Sequence, residues 1–274
     1  MSAASRLADG VLVINLDERT DRWQSFLDQA ADRLRPLVPT RLSAVKGVAL
    51  PGFGEKPFFH GHKRDKTWAG RAGCALSHRS AIEHASRNSW KRVLVLEDDI
   101  QLEPDFDDLL TPIEQALDTL QWDICYLGYT DPIGPFMKRL QLPKHYELCE
   151  IYGCNAAHAY IVNESAYSTL LAKLPTERTI WKWLTRNRAI DRWYARTLSK
   201  TLTVLAISTS IVTQRDGISD ITGRSYENLH LIALPQPGST ALSYAIGRAL
   251  RRSLFALEGI YDAGRGWVKR RRGF

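Results

Sequence analysis

The stretch VLVLEDD at residues 93–99 decides the fold class. Its four apolar residues predict a short strand that is buried on both faces, as in a parallel sheet. Three acids follow at once, and sheets of this kind bind ligands beyond the carboxyl ends of their strands. Strand alternation predicts Glu97 and Asp99 on one side and Asp98 on the other. Two carboxylates two residues apart suit Mg²⁺ or Mn²⁺, and a solvated acidic turn that caps a helix is the alternative on spacing alone.

Strands and helices alternate on both sides of this stretch. Apolar runs predict further strands at 11–16, 41–45, 123–128, 157–162 and 202–207. Helical spacing predicts helices at 20–34, 73–85, 164–174 and 181–198, and residues 46–72, which lack a period, predict a long loop. This order predicts an α/β layered fold with a mostly parallel central sheet.

A glycine-rich motif, GRAGCALSH, occupies residues 70–78. Small residues such as Gly73 at the start of a helix allow close backbone approach and leave N–H groups free for an anion. Ser77 and His78 add polar groups to its first turns. A glycine-rich helix start with a satisfied histidine is the alternative interpretation.

A third polar group begins inside the first predicted strand. Asn15 interrupts an apolar run, so its amide must find partners. Arg19 and Arg22 follow, and guanidinium groups bind phosphate well. A solvated helix face is the alternative for both arginines.

Composition and charge exclude several classes of protein. The 274 residues are 44% hydrophobic, and no apolar run approaches the ~20 residues of a membrane-spanning helix. The first ten residues lack the apolar core of a signal peptide, so we expect a cytoplasmic protein. The four cysteines form no C-x-x-C pair and are expected to be free thiols.

The net charge of +7 is concentrated at the carboxyl end. Residues 241–274 carry eight Lys or Arg against two acids, which leaves the other 240 residues nearly neutral. Nucleic-acid binding by the main body therefore has no electrostatic support.

One face of the helix predicted in this tail is apolar, and the arginines of the tail fall on other faces. Such a basic amphipathic helix is typical of docking on an anionic membrane surface. A helix packed on the body is the alternative. The apolar face consists of Ile246, Leu250, Leu254, Leu257 and Tyr261.

Taken together, these motifs resemble glycosyltransferase family 25, the lipopolysaccharide-type glycosyltransferases related to collagen galactosyltransferases. The similarity covers about residues 11–221. It rests on VINL at 13–16 with Asp21 and Arg22, on the motifs at 70–78 and 93–99, on GCNAAHAYIV at 153–162, on Ala189-Ile190-Asp191, and on Gln214 with Ser219-Asp220-Ile221.

The resemblance implies a Rossmann-like, GT-A-like glycosyltransferase domain at residues 1–235, followed by the basic amphipathic tail at 236–274. It implies inverting transfer of a hexose, with galactose expected, from a UDP-sugar to a glycan or lipid-linked glycan such as a lipopolysaccharide or lipooligosaccharide core. A divalent cation, Mn²⁺ or Mg²⁺, would be held by Glu97 and Asp99. The expected donor-binding residues are Asn15, Arg22, Gly73, Ser77, His78 and Asp98.

Inversion in one displacement needs a carboxylate to deprotonate the acceptor hydroxyl. Asp191 is the first candidate because it lies late in the chain in a mostly apolar context, and Asp220 is the second. A helix cap, or an ion pair with Arg188 or Arg192, is the alternative role for Asp191.

Two other classes of function remain open at this stage. A metal-dependent phosphohydrolase or nucleotidyltransferase could use the same acidic strand end. A non-catalytic, membrane-associated binding module would bind the donor without turnover. The tail further predicts a peripheral location on the inner face of a membrane.

Overall fold

The computed structural model describes residues 7–59, 61, 64–218, 221, 225–226, 232–235 and 240–271. Its strands are β1 (Gly10–Asn15), β2 (Pro39–Ser43), β3 (Arg92–Glu97), β4 (Ile100–Leu102), β5 (Ile124–Gln141), β6 (Glu147–Asn163), β7 (Val204–Ile207), β8 (Val212–Gln214), β9 (Gly217–Ile218) and β10 (Ser225–Tyr226). Its helices are α1 (Thr20–Phe26), α2 (Arg64–Arg87), α3 (Phe106–Thr119), α4 (Glu164–Lys173), α5 (Ile180–Asn187), α6 (Ile190–Thr197) and α7 (Ala241–Arg271). The predicted α/β class is confirmed.

Six strands form the central sheet, in the order β2-β1-β3-β6-β5-β7. β1 runs parallel to β2 and β3, and β5 runs parallel to β7, whereas β6 is antiparallel to both of its neighbours β3 and β5. Five strands therefore share one direction, but the sheet is mixed, which the prediction of a mostly parallel sheet did not include. The physical reason is that β5 and β6 are the two arms of one long hairpin, and a tight connection forces antiparallel pairing.

Apolar layers cover both faces of the sheet. All six residues of β1 and the four apolar residues of β3 are buried, as predicted for central strands. One layer packs α2, α4, α5 and α6 against the sheet, and the other packs α1 and α3 against it. Because β1 and β3 pair in parallel between these layers, their carboxyl ends lie side by side.

Two predicted boundaries were wrong. α2 begins at Arg64, nine residues before the predicted start, so the carboxyl-terminal part of the predicted loop is helical and Gly73 lies inside the helix. The helix predicted at 181–198 is two helices, because Arg188 has a φ of +68° and Ala189 is extended. A left-handed residue cannot continue a right-handed helix.

α7 packs on the body through its arginine face. Arg248 donates a 3.0 Å hydrogen bond to the Ser199 carbonyl, and Arg251 donates one of 3.2 Å to the Gly134 carbonyl. The ring of Phe255 lies 5.5 Å from the ring of Tyr152. The apolar face predicted from the sequence points to solvent, with exposed fractions from 52% to 65% for Ile246, Leu250, Leu254, Leu257 and Tyr261.

All four cysteines are free thiols, as expected. Within the described ranges, we find no helix with the length and hydropathy needed to cross a bilayer.

Candidate functional site

A cavity of about 1700 Å³ opens at the carboxyl ends of β1 and β3. Its walls come from the acids after β3, the middle of α2, the start of α6 and the segment after β8. Small-molecule sites typically measure ~300–1,000 Å³, so this cavity has room for two substrates side by side. Lys and Arg side chains line it together with the acids: Arg19, Arg22, Lys46, Lys66, Arg71, Arg188, Arg192, Arg196 and Arg215.

Arg22 holds two of the three acids. Its Nη1 lies 3.1 Å from Oδ1 of Asp98 and 3.1 Å from Oδ2 of Asp99. The predicted alternation, with Asp98 opposite Asp99, is therefore wrong. β3 ends at Glu97 and the next two residues form a turn, so strand alternation no longer governs their directions.

Asn15 joins this network from β1. Its Nδ2 donates to Oδ2 of Asp98 at 2.6 Å, and its Oδ1 accepts a 2.7 Å bond from Nε of Arg41. The prediction that this amide must find partners is confirmed. Because Asn15 is only 1% exposed, its role in the structure is to position Asp98.

The three acids differ in the direction of their pKa shifts. Burial, together with the charges of Glu97 and Asp98, raises the pKa of Asp99 to about 6 against the opposing effect of Arg22. Burial also raises the pKa of Asp98, although Asn15 and Arg22 oppose it. For Glu97, burial raises the pKa, but contacts with His78, together with the nearby His158 and Arg22, bring it below its ordinary value.

Gly73 and Ser77 act inside α2 rather than at its start. A Cβ at position 73 would lie 2.1 Å from the carbonyl oxygen of Val45, so glycine allows the segment after β2 to approach the helix. Ser77 donates to the Gly73 carbonyl at 2.7 Å and accepts from the Val45 N–H at 2.8 Å. N–H groups in the middle of a helix donate to carbonyl oxygens of the same helix. The free N–H donors that were expected to bind an anion are therefore absent at these described residues.

His78 lies on the same helix and faces Glu97. It is 1% exposed, its Nδ1 lies 2.7 Å from the hydroxyl of Tyr160, and its Nε2 lies 3.5 Å from Oε1 of Glu97. Cys74 lies one turn earlier. Among the described residues, Cys74, His78 and Glu97 are the group of three potential metal ligands whose donor atoms all lie within 4.8 Å of one another.

Asp191 lies in the first turn of α6 and lines the cavity. Its Oδ1 accepts a 2.6 Å hydrogen bond from the backbone N–H of Arg192. Burial raises the pKa of Cys74, and the charges of Glu97 and Asp191 raise it in the same direction. Asp191 lines the same cavity as the acids at the end of β3. Asp220, the second candidate base, lies outside the described residues.

The sequence interpretation missed Arg215. Its backbone N–H donates to the Asp99 carbonyl at 2.7 Å, and its Nη2 donates to the Asp98 carbonyl at 2.9 Å. The neighbouring Gln214 donates to Oε2 of Glu97 at 3.2 Å. The only sequence signal was that Arg215 directly follows Gln214, which belongs to a recognised motif.

Comparisons with known proteins match the part of the chain that holds β1, α2 and β3. A family profile described as "Glycosyltransferase family 25 (LPS biosynthesis protein)" matches residues 8–131, which include β1, α2 and the β3 acids. A "Glycosyltransferase 25 family member" of Drosophila melanogaster is 28% identical over 193 residues, which is 63% of this chain and 29% of the relative. The human "Procollagen galactosyltransferase 2" is 29% identical over 134 residues, 44% of this chain and 20% of the relative.

Not every similar protein is an active enzyme. The human "Inactive glycosyltransferase 25 family member 3" is 32% identical over 133 residues, 44% of this chain and 22% of the relative. The matches thus span less than a third of the length of these relatives. Among solved structures, a glycosyltransferase involved in glycosylation of the major capsid of PBCV-1 aligns with a TM-score of 0.31 at 10% identity, over 64% of this chain and 66% of that one.

Proposed function

We propose that this chain transfers a sugar from a nucleotide donor to a glycan hydroxyl. The premise of the proposal is that the chain belongs to glycosyltransferase family 25. The observation that carries the proposal is the acidic turn after β3, clamped by Arg22 and opening into a cavity with room for two substrates. The same segment lies inside the region matched by the family profile.

The charges of the cavity suit a nucleoside diphosphate. Arg22 and Arg215 flank the acidic turn, and further guanidinium groups line the wall near α6. Guanidinium groups bind diphosphate oxygens through paired hydrogen bonds. We propose a GT-A-like arrangement, in which the diphosphate lies at the carboxyl ends of β1 and β3.

The acids fit the divalent cation that the family resemblance implies. Among the described residues, the buried Oδ1 of Asp99 has no hydrogen-bond partner, and a cation would satisfy it and relieve the charge repulsion with Glu97. We assign Glu97 and Asp99 to Mn²⁺ or Mg²⁺. Such an ion, when bound, would neutralise the charge of the departing diphosphate.

Asp191 is the proposed general base. Its Oδ1 already accepts from the backbone, so its Oδ2 would take the proton of the acceptor hydroxyl. The acceptor oxygen then bonds to the anomeric carbon from the face opposite the diphosphate. The bond from that carbon to the diphosphate oxygen breaks, and the nucleoside diphosphate leaves with the electron pair.

The substrates are proposed from the resemblance and the relatives. UDP-galactose is the first candidate donor, because a similar human protein is a procollagen galactosyltransferase. A lipopolysaccharide or lipooligosaccharide core, free or lipid-linked, is the first candidate acceptor, because the family is described as an LPS biosynthesis protein.

The outer face of α7 supports a membrane-associated location. The exposed apolar residues form one stripe along the helix, and the tail carries a large excess of basic residues. An apolar stripe with basic residues favours an anionic lipid surface over a neutral one. We therefore propose that the protein works peripherally at the cytoplasmic face of a membrane.

A second candidate function is a binding module without turnover. It is favoured by the relative whose name describes it as inactive. The two candidates differ in one measurement, since both bind the donor but only the enzyme forms product.

A donor screen tests the proposal. The full chain is titrated with a set of UDP-sugars, with Mn²⁺ or with EDTA, and thermal stabilisation and release of UDP in the presence of glycan acceptors are recorded. We expect saturable, metal-dependent stabilisation by one UDP-sugar and acceptor-dependent UDP release. Stabilisation without product would favour the binding module, and hydrolysis of simple phosphate esters without sugar transfer would favour a phosphohydrolase.

A further inference from the structure

The cluster of Cys74, His78 and Glu97 joins two elements of the site. Cys74 and His78 are four residues apart on α2 and so share one helix face. Glu97 ends β3, and the three donor atoms lie within 4.8 Å of one another. No role assigned above uses the thiol of Cys74.

His78 is held in the orientation of a metal ligand. Its Nδ1 lies 2.7 Å from the Tyr160 hydroxyl, which in turn lies 3.5 Å from the Tyr194 hydroxyl. When Nδ1–H donates to Tyr160, the lone pair of Nε2 points away from that bond, and metal-binding histidines are usually fixed in this way. The buried Nε2 has no hydrogen-bond partner in the described part of the chain.

Glu97 is oriented by a neighbour as well. Gln214 donates to its Oε2 at 3.2 Å, which leaves Oε1 facing His78 at 3.5 Å. Zinc bonds to nitrogen and oxygen measure ~2.0–2.2 Å, so two such ligands at a tetrahedral angle lie about 3.4 Å apart. The 3.5 Å between Nε2 of His78 and Oε1 of Glu97 is close to this distance between two ligands.

We propose that Cys74, His78 and Glu97 bind a zinc-class transition-metal ion through Sγ, Nε2 and Oε1. Sulfur, nitrogen and oxygen donors together suit zinc or cobalt, whereas Mg²⁺ and Mn²⁺ favour oxygen. Binding releases the thiol proton to solvent, and thiolate and carboxylate balance the charge of the divalent ion. Three protein ligands leave a fourth position, which water or a substrate oxygen fills from the cavity that all three residues line.

This site shares Glu97 with the oxygen site but takes Cys74 and His78 in place of Asp99, and it does not depend on sugar transfer. Cobalt distinguishes the two, because a thiolate ligand gives Co²⁺ a charge-transfer band in the near ultraviolet and carboxylates do not. We expect metal-free full-length protein to bind one equivalent of Co²⁺ with this band, and Zn²⁺ to displace it.

Variants assign the ligands. Cys74→Ser should remove the band and weaken Co²⁺ binding by about 100-fold or more, and Tyr160→Phe should weaken it by roughly 10–100-fold. Cys149→Ala, which removes a buried thiol elsewhere in the core, should keep both band and affinity, and Asp99→Asn should keep the band. Circular dichroism shows whether each variant is folded.

Three results would overturn the proposal. The first is saturating Co²⁺ without a thiolate band in the wild-type chain, a measurement that needs no variant. The second is a band that persists in Cys74→Ser, which would assign the band to another thiol. The third is metal binding that disappears in Asp99→Asn but not in Cys74→Ser, which would assign the ion to the oxygen site.

Discussion

The side-chain amide of Asn15 donates a 2.6 Å hydrogen bond to Oδ2 of Asp98 and so joins the ends of β1 and β3. The two residues are 83 positions apart in the chain. Because both side chains are buried, this bond satisfies polar groups that are shielded from water, and the same Nδ2 also donates to the Arg19 carbonyl at 3.1 Å. It fixes the acidic turn against the strand that precedes α1.

Replacing Asn15 by Leu should destabilise the protein strongly. Among the residues that the structure describes, Arg22 would then be the partner left to the buried carboxylate of Asp98, and Arg41 would lose an acceptor. We expect the free energy of unfolding to fall by about 2–4 kcal/mol, measured by urea denaturation. Asn88→Leu, at an exposed amide bonded only locally to the His84 carbonyl, is the matched control. Equal losses in the two variants would contradict the role of Asn15.

Asp99→Asn should change the pH dependence of stability in metal-free protein. Its pKa is about 6 when folded against an ordinary 3.8, so the folded state holds this proton more tightly than the unfolded state. The resulting stabilisation is complete below about pH 4 and is lost as pH rises through 6. Relative to wild type, the variant should therefore gain up to about 3 kcal/mol between pH 4.5 and 7. The free energy of unfolding of both proteins is measured against pH in EDTA. Curves for wild type and Asp99→Asn that run parallel from pH 4.5 to 7 would refute this.

Gly73→Ala should destabilise the contact between α2 and the segment after β2. The new Cβ would lie 2.1 Å from a backbone oxygen, which cannot move aside like a flexible side chain. We expect a loss of about 1–3 kcal/mol in thermal or urea unfolding. Gly259→Ala in α7 is the control, because nothing lies within 4 Å of its added Cβ, and there alanine should raise helix stability by up to about 1 kcal/mol.

Asp191→Asn should slow sugar transfer and preserve donor binding. The amide cannot accept the proton of the acceptor hydroxyl, so kcat should fall by about 10²–10⁴-fold with little change in donor affinity. Asp28→Asn is the matched control, because this exposed acid accepts a hydrogen bond from Gln24 and does not line the cavity. Full activity in Asp191→Asn would exclude it as the base.

The apolar stripe on α7 should govern binding to anionic vesicles. Leu250→Ser combined with Leu254→Ser removes two residues that are more than half exposed, so the fold should not change. We expect partitioning to fall by roughly tenfold per leucine, measured by co-sedimentation with phosphatidylserine vesicles. Val38→Ser, at an isolated exposed residue, should have no effect. Concentration-dependent dimerisation lost in the double variant, without vesicle binding, would instead show a second copy as the partner.

Much of the site was visible in the sequence, though in separate pieces. The buried strand before Glu97 and the polar residue at position 15 carried clear signals, because burial of apolar residues and the cost of an unpaired amide act locally. The sequence carried no signal for the direction of the Asp98 carboxylate, since that direction depends on where β3 ends. The three-donor cluster was also missed, because a single half-buried cysteine such as Cys74 carries no signal of its own.

The sequence by itself determined the α/β class, the two central strands and the position of the acids at a strand end, because hydrophobic periodicity is a property of neighbours along the chain. Tertiary structure alone decided that β6 runs against its neighbours, that Arg22 bridges Asp98 and Asp99, and that the arginines of α7 face the body. These features depend on pairings between residues tens of positions apart, which follow from how the hairpin and helices pack.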